Sequence, residues 1–489
     1  MTTAPISRAT GLSPLPALRP ASSPAAPADD GPTTPTAPGG VLAAARHSGS
    51  GTAPGSPLTA FAAASSELLA DEDPWLHGLL HAEHVGHEAT LSLRAGSGAA
   101  DPSVLACLSA AGVQGAAADD TDDADDLEQL AVERARTLFG ARYATVRPGG
   151  AAQATVVALA AVLGPGDEVL HVGPVDGADL PGTPAAPLRC APAADGGLDY
   201  ARVATLLRRH RPRALLVQSA GLSRRVDHGR LRTLTDGAGA VLIADITAVA
   251  ALVAAGTHPG PVDCAHLTVT GTRGQLAGPA GGLVLSGSDA ELPFGAGTLA
   301  ERVEHAARTA CPEPARPALA ATARALALAA AEPFAQTADR AVRGAGELAA
   351  VLSECGHSVV GGRTDTSTVV LDPAAAGIDA RTAASVLAGL GILVDVTRLP
   401  GRLADRVHPD GLLLDTYAAA QRGLGPVELR QLARIIGGVL EALTPSHGAP
   451  RPRIGEPARR AAAARLDRML TQFPLSRHVP VARIPADPG

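Results

Sequence analysis

The chain has 489 residues, 46% of them hydrophobic, enough to bury a core larger than one domain needs. Its formal charge of -7 and isoelectric point near 6.1 exclude a basic field for phosphate backbones, so nucleic acid is not an expected partner. There is no basic start with an adjoining apolar stretch, and no uninterrupted apolar run of about 20 residues, so neither export nor membrane spanning is expected.

The five cysteines, Cys107, Cys190, Cys264, Cys311 and Cys355, are scattered and odd in number, which argues for a reducing cytoplasm rather than a disulfide framework. All 41 basic residues are arginine, and lysine is absent from the sequence. The excess of Ala, Gly, Pro and Arg fits a GC-rich coding bias, which thins lysine out but rarely removes it.

In chain order, residues 1 to 70 form a Pro/Ala-rich tract with too few large apolar groups to offset the entropy of ordering, and a disordered tail is expected. Residues 71–125 are expected to form an N-terminal arm and the start of a large domain that occupies 126–310. There, short apolar runs alternate with segments of helical period, the pattern of an α/β protein. Strands are predicted at Tyr143 to Arg147, Glu168 to Val172, Ala214 to Gln218, Val241 to Asp245, His266 to Thr270 and Gly282 to Leu285. Runs such as ALLVQ and VLIAD lack polar alternation, as expected of strands covered on both faces. Helices are predicted over Asp126 to Phe139 and Ala151 to Leu163. The Pro-rich break at 311 to 317 introduces a linker helix and a small C-terminal α/β domain, 311–445, holding STVVLD, GILVDV and a closing helix from Pro426 to Leu443. Residues 446–489 read as a tail with a short helix.

Two polar clusters stand out. His77, His81, His84 and His87 recur at helical spacing; a solvated or interface helix explains them better than a metal site, since spacing alone fixes neither geometry nor ligand count. Asp119, Asp120, Asp122, Asp123, Asp125 and Asp126 lack the glycine and terminal glutamate of a calcium loop and read as a solvated loop leading into a helix N-terminus.

The segment from Asp245 to Val262, DITAVAALVAAGTHPGPV, resembles the serine hydroxymethyltransferase stretch that carries the aspartate under the cofactor ring. Thr270 to Gly282, TGTRGQLAGPAGG, is similar to that family's cofactor-lysine loop. LEQLA at 127–131, RTLFGA at 136–141 with Tyr143, GPGD at 164–167 and Gln421-Arg422-Gly423 follow in family order, over roughly three quarters of the chain. The resemblance implies a fold-type-I pyridoxal-phosphate-dependent transferase architecture. That means a large domain with a mainly parallel seven-stranded sheet, a smaller C-terminal α/β domain, and a dimer whose N-terminal arm embraces its neighbour.

It also implies a set of losses. In the family a lysine holds the cofactor as an imine, and only a primary amine can do so. Here Gly274 takes the lysine's place, and Arg273 that of the preceding histidine; a guanidinium stays protonated and is no substitute. Asp179 stands where the imidazole over the ring belongs, and Ala248 where a histidine follows Asp245. Leu413 replaces the arginine that clamps the substrate carboxylate, and the tyrosine- and glutamate-bearing segment has become GVQGAAADDTDDADD (112–126). No catalytic residue and no metal ligand is then expected. Cofactor contacts that survive would rest on Asp245, Gly150, Ala151, Thr272 and Arg273. Asp245 fits a ring-nitrogen partner and a strand-ending turn cap equally well, and the helix opening at Gly150 keeps its dipole without hydroxyls, with Arg147 or Arg273 available to assist a phosphate. Pyridoxal phosphate binding, if any, is expected to be noncovalent. A pseudoenzyme acting as a homodimer, or as a heterodimer with an active paralogue, is the expected function. The alternative is a lysine-independent enzyme of glycine/serine one-carbon metabolism using tetrahydrofolate.

Overall fold

The computed structural model describes residues 65, 67–110, 122–173, 188–399, 410–443 and 454–475. Asp119, Asp120 and Asp179 lie outside the described residues, as do the side chains of Asp122, Asp123 and Asp125 and nearly all of the first 70 positions. The described residues belong to one compact unit.

The larger sheet contains β1 (Tyr143–Thr145), β2 (Val169–Val172), β3 (Leu188–Cys190), β4 (Ala214–Gln218), β5 (Val241–Asp245), β6 (Leu267–Gly271) and β7 (Gly282–Ser286). Its seven strands run in the order β1-β7-β6-β5-β4-β2-β3. The β2/β3, β2/β4, β4/β5 and β5/β6 pairs are parallel, whereas β7 is antiparallel to both β1 and β6. The expected mainly parallel sheet is therefore present. The unbroken apolar runs have a physical cause, since each face is covered. Leu216, Ile243, Val269 and Val284 pack with Val157, Ala158 and Ala161 of one helix, while Leu215, Val217 and Leu242 pack with Val203, Leu207 and Leu231 on the other side.

The helices that matter for the site are α1 (Pro74–Glu88), α2 (Asp122–Phe139), α3 (Ala151–Val162), α4 (Arg316–Ala329), α5 (Glu332–Glu354), α6 (Pro426–Glu441) and α7 (Glu456–Gln472). Asp73 caps α1 by accepting the Leu76 N–H at 3.0 Å, with Pro74 in the first helical position, where no backbone donor is needed. The smaller sheet, antiparallel throughout, has β8 (Ser358–Val359), β9 (Thr368–Asp372), β10 (Asp395–Arg398) and β11 (Asp410–Asp415) in the order β8-β9-β11-β10.

Helix α5 serves both cores. Ala338 and Ala341 pack with Phe139, Leu326 and Tyr417 under the larger sheet, and Ala345, Leu348 and Leu352 pack with Val369, Leu412 and Ile436 against the smaller one. Among the described residues no single helix is long and apolar enough to cross a membrane.

Several boundaries differ from expectation. β1 ends at Thr145 because Arg147 turns inward to Glu128, with Nη2 and Oε2 2.7 Å apart. β3 and β11 were not expected: the first is three residues long, and the second was read only as the place of a lost arginine. The expected short terminal helix is 17 residues long, starts at Glu456, and buries Ala462, Leu466 and Met469.

Candidate functional site

The C-terminal edge of β4, β5 and β6 gathers most of the residues singled out from sequence. In α/β sheets this edge is where loops converge and ligands sit. Strand register places Gln218 beside Asp245. The Gln218 amide donates to Asp245 Oδ2 at 3.0 Å, and the backbone N–H of Thr247 donates to Oδ1 at 2.9 Å. A carboxylate only accepts, so it fixes the amide with its NH2 toward Asp245 and its carbonyl toward His171. That carbonyl lies 2.8 Å from His171 Nε2, which must therefore carry the proton. Burial, the largest cause, holds the His171 pKa below its ordinary value, so the ring is neutral. His171, Gln218 and Asp245 thus form one satisfied chain, and both carboxylate oxygens of Asp245 already have donors.

Gly150 and Ala151 open α3 beneath the same edge. No side chain caps this end, but Gln153 reaches back to accept the Gly149 N–H at 2.6 Å. Ala151 stands against the Gly271 backbone, where an added Cβ would approach its methyl to 3.2 Å, and Thr247 Oγ1 accepts the Gly271 N–H at 3.3 Å. Asp245, Ala151 and Thr272 are therefore neighbours through Thr247 and Gly271. Arg147 does not join them. Besides its pair with Glu128 it donates to the carbonyl of Pro312 at 2.9 Å, and it is almost fully buried.

Thr272 is buried and turned into its own loop, its hydroxyl donating to the Pro279 carbonyl at 2.7 Å. The next residue, Arg273, is exposed and lines a cavity of about 530 Å3 together with Arg94, Ser97, Gln421 and Arg422. Gly274 is buried with a φ of +82°, a conformation L side chains rarely adopt. A Cβ at Gly274 would collide with the carbonyl oxygen of Gly96, and a Cβ at Gly98 would collide with that of Gly274. The segment Arg94–Ala99 thus lies backbone to backbone on Gly274.

That segment is pinned from the small domain. Gln421 accepts the Ala99 N–H at 2.9 Å, and Asp395 accepts the Ala95 N–H at 2.9 Å. Arg422 donates to Thr90 and Glu88 carbonyls at 2.6 and 2.9 Å, a cation at the C-terminus of α1 where the helix dipole favours it.

Gln275 is buried between the two sheets. Its amide donates to the Ala248 carbonyl at 2.7 Å and to Asp415 Oδ2 at 3.2 Å, while its oxygen accepts the Ala251 N–H at 3.2 Å. Asp415 also accepts the Tyr417 N–H at 2.8 Å, yet its complete burial pushes its pKa up to about 7. Leu413, two residues earlier on β11, is buried opposite Val370 and Asp395. Ala248 is buried as well.

His171, Gln218, Gln275, Asp415 and the Gly96–Gly98 backbone were all missed from sequence. Two of them carried a signal: a histidine in the apolar run VLHV and a glutamine closing ALLVQ are polar residues where a covered strand has no use for them unless they pair.

The residues present do not fit a lysine-linked pyridoxal phosphate. Gly274 offers neither an amine nor space for one, both oxygens of Asp245 are already engaged by Gln218 and Thr247, and the α3 terminus offers no hydroxyl.

A mixed seven-stranded sheet with an aspartate at its C-terminal edge, a glycine-rich loop after β6 and a smaller antiparallel domain define the fold of type-I pyridoxal-phosphate-dependent transferases. The family model described as serine hydroxymethyltransferase matches residues 103–436. Serine hydroxymethyltransferase of Leptospira biflexa is 32% identical over 329 residues, covering 65% of this chain and 77% of the relative. Serine hydroxymethyltransferase 1 of Bordetella parapertussis is 34% identical over 363 residues, 72% of this chain and 80% of the relative. The Zymomonas mobilis enzyme of the same name is 32% identical over 369 residues, 72% and 81% respectively. The chain belongs to the serine hydroxymethyltransferase family.

Proposed function

We propose that this chain is a catalytically silent member of its family, which retains the fold and works by binding, as a homodimer or as a heterodimer with an active relative in a reducing cytoplasm. The observation that carries the reading is the contact of Gly274 with Gly96. The amine needed for the imine is missing, and the volume it needs is filled by main chain. The buried Leu413 and Ala248, and the internally satisfied Asp245, agree with it.

Binding is supported by α1, which buries none of its residues. Trp75 is 79% exposed, Leu79 55% and Val85 49%, a run of large apolar side chains in water of the kind that marks an interaction surface. The four histidines ride on this helix, with His77 and His81 stacked at 6.5 Å.

A second reading, a lysine-independent enzyme of glycine/serine one-carbon chemistry, draws on Asp245 lying at the sheet edge beside an uncapped helix terminus. In it a ligand nitrogen would share Asp245 with Gln218 and Thr247, using acceptor capacity the carboxylate still has. One experiment separates the two. Purified protein is titrated with pyridoxal phosphate and then with pyridoxamine phosphate, followed by absorbance, borohydride reduction and equilibrium dialysis, and glycine–serine exchange with tetrahydrofolate is assayed. The silent reading expects no imine band, no reduced adduct between residues 73 and 445, and background turnover. Turnover that co-purifies with the protein and vanishes in Asp245→Ala would sink it.

A further inference from the structure

A cavity of about 530 Å3 lies between α6 and α7 and shares no lining residue with the one beside Arg273. Arg434 of α6 and Arg465 and Arg468 of α7 stand around it, all exposed. Arg465 and Arg468 are three residues apart and so share a helix face. Among the described residues no ion pair joins any of the three to a carboxylate.

This is not a general property of arginines on these helices. Arg430, one turn before Arg434, pairs with Glu347 at 2.7 Å. Arg460 and Arg459, at the start of α7, pair with Glu456 at 2.9 and 4.0 Å. Glu428 is the carboxylate lining the cavity, but its Oε2 accepts the Gly425 N–H at 2.8 Å and caps α6. The floor, Ile435 and Met469, is apolar and nearly buried, so nothing beneath the guanidinium groups supplies countercharge.

Three guanidinium charges around one concavity exceed the single charge of Glu428, and an anion carrying the balance offsets their mutual repulsion. Guanidinium groups bind both carboxylate and phosphate oxygens in pairs of parallel hydrogen bonds, and the excess of positive charge here favours a ligand with several negative charges, such as linked phosphates, over a single carboxylate. We propose that the α6/α7 groove is a binding site for a small molecule carrying two or more phosphate groups. The proposal does not rest on the silent-enzyme reading, because no residue of the groove belongs to the cofactor-type site.

The test is calorimetric titration of the full chain with inorganic pyrophosphate at about 150 mM salt, a strength that screens diffuse surface attraction. Saturable binding of one pyrophosphate per chain is expected. The Arg465→Ala/Arg468→Ala variant should weaken it at least tenfold, whereas Arg459→Ala and Arg273→Ala should leave it unchanged. Exposed substitutions of this kind cost little stability, and a urea transition on each variant verifies the fold. No saturable binding at millimolar pyrophosphate would overturn the proposal. So would loss of binding in Arg273→Ala with retention in the double variant, which places the ligand in the other cavity, or equal loss in Arg459→Ala, which makes the attraction nonspecific.

Discussion

The α-carbon of Gly274 faces the carbonyl oxygen of Gly96 so closely that no side chain of any kind fits between them. The two residues are far apart in sequence, and the contact is held from outside by Gln421 on Ala99 and Asp395 on Ala95. Placing an amine here is therefore not a simple substitution. Gly274→Lys places an L side chain at φ +82° and drives its Cβ into main chain, a combined cost of about 3 kcal/mol or more. We expect a urea midpoint well below wild type and no borohydride-fixed pyridoxal phosphate. A Gly274→Lys protein with wild-type stability and a reducible adduct would show that the Arg94–Ala99 segment yields easily.

Gln218 bridges a neutral imidazole and a carboxylate. Gln218→Leu keeps its approximate size while stripping Asp245 Oδ2 and His171 Nε2 of their partners; the bond to the carboxylate is worth about 1.5–3 kcal/mol and the one to the neutral ring about 0.5–1.5 kcal/mol. A loss of about 2–4 kcal/mol in chemical denaturation is expected. A loss under about 0.5 kcal/mol, the size of an ordinary surface change, would mean that Asp245 is solvated and open to a ligand.

Asp415 has a folded-state pKa of about 7, raised by burial above the usual carboxylate value. Between those two values the unfolded chain has released this proton and the folded chain keeps it, so the Asp415 contribution falls as pH rises through that window. It is fully present in acid and lost above about pH 7, with an upper magnitude of about 4 kcal/mol. His228 works in the opposite sense. Burial lowers its pKa to about 4, so its contribution is lost as pH falls from its ordinary value toward 4. Because the two windows overlap, the informative quantity is a difference. The stability of Asp415→Asn relative to wild type should increase from pH 5 to pH 8, and a flat difference would refute the buried acid.

Helix α1 is expected to lie in a subunit interface burying more than about 2,000 Å2, the range of obligate assemblies. Removing residues 1–70 should leave the oligomer intact, and removing everything through Glu88 should give monomer or aggregate by light scattering. The second deletion also takes the α1 carbonyls that Arg422 holds, so Trp75→Glu/Leu79→Glu on the exposed face is the cleaner variant; it should dissociate the oligomer without unfolding it. Full-length protein that is monomeric at micromolar concentration would remove the basis for this assignment.

The strand runs were legible because both sheet faces are covered, so apolar continuity marks Ala214–Gln218 and Val241–Asp245 to the residue. Leu188–Cys190 was not, since three residues carry no period. For the site, Gly274 and Leu413 invite reading one position at a time, because an amine or a guanidinium is a chemical group that neither residue can supply. What packs around them does not. The approach of Gly96 to Gly274, and of Gln275 to Asp415 from another domain, are long-range contacts of main chain and amides that leave no local pattern.

Helix α5 contributes its first half to one hydrophobic core and its second half to the other, without a break. Melting either core would strip one end of the helix, and helical hydrogen bonding propagates that loss along the rod. The lobes should therefore unfold in a single transition, with calorimetric and van't Hoff enthalpies that agree. For the same reason, rigid-body opening of one lobe against the other would have to bend a continuous 23-residue helix. The rod therefore works against any function that needs the lobes to hinge.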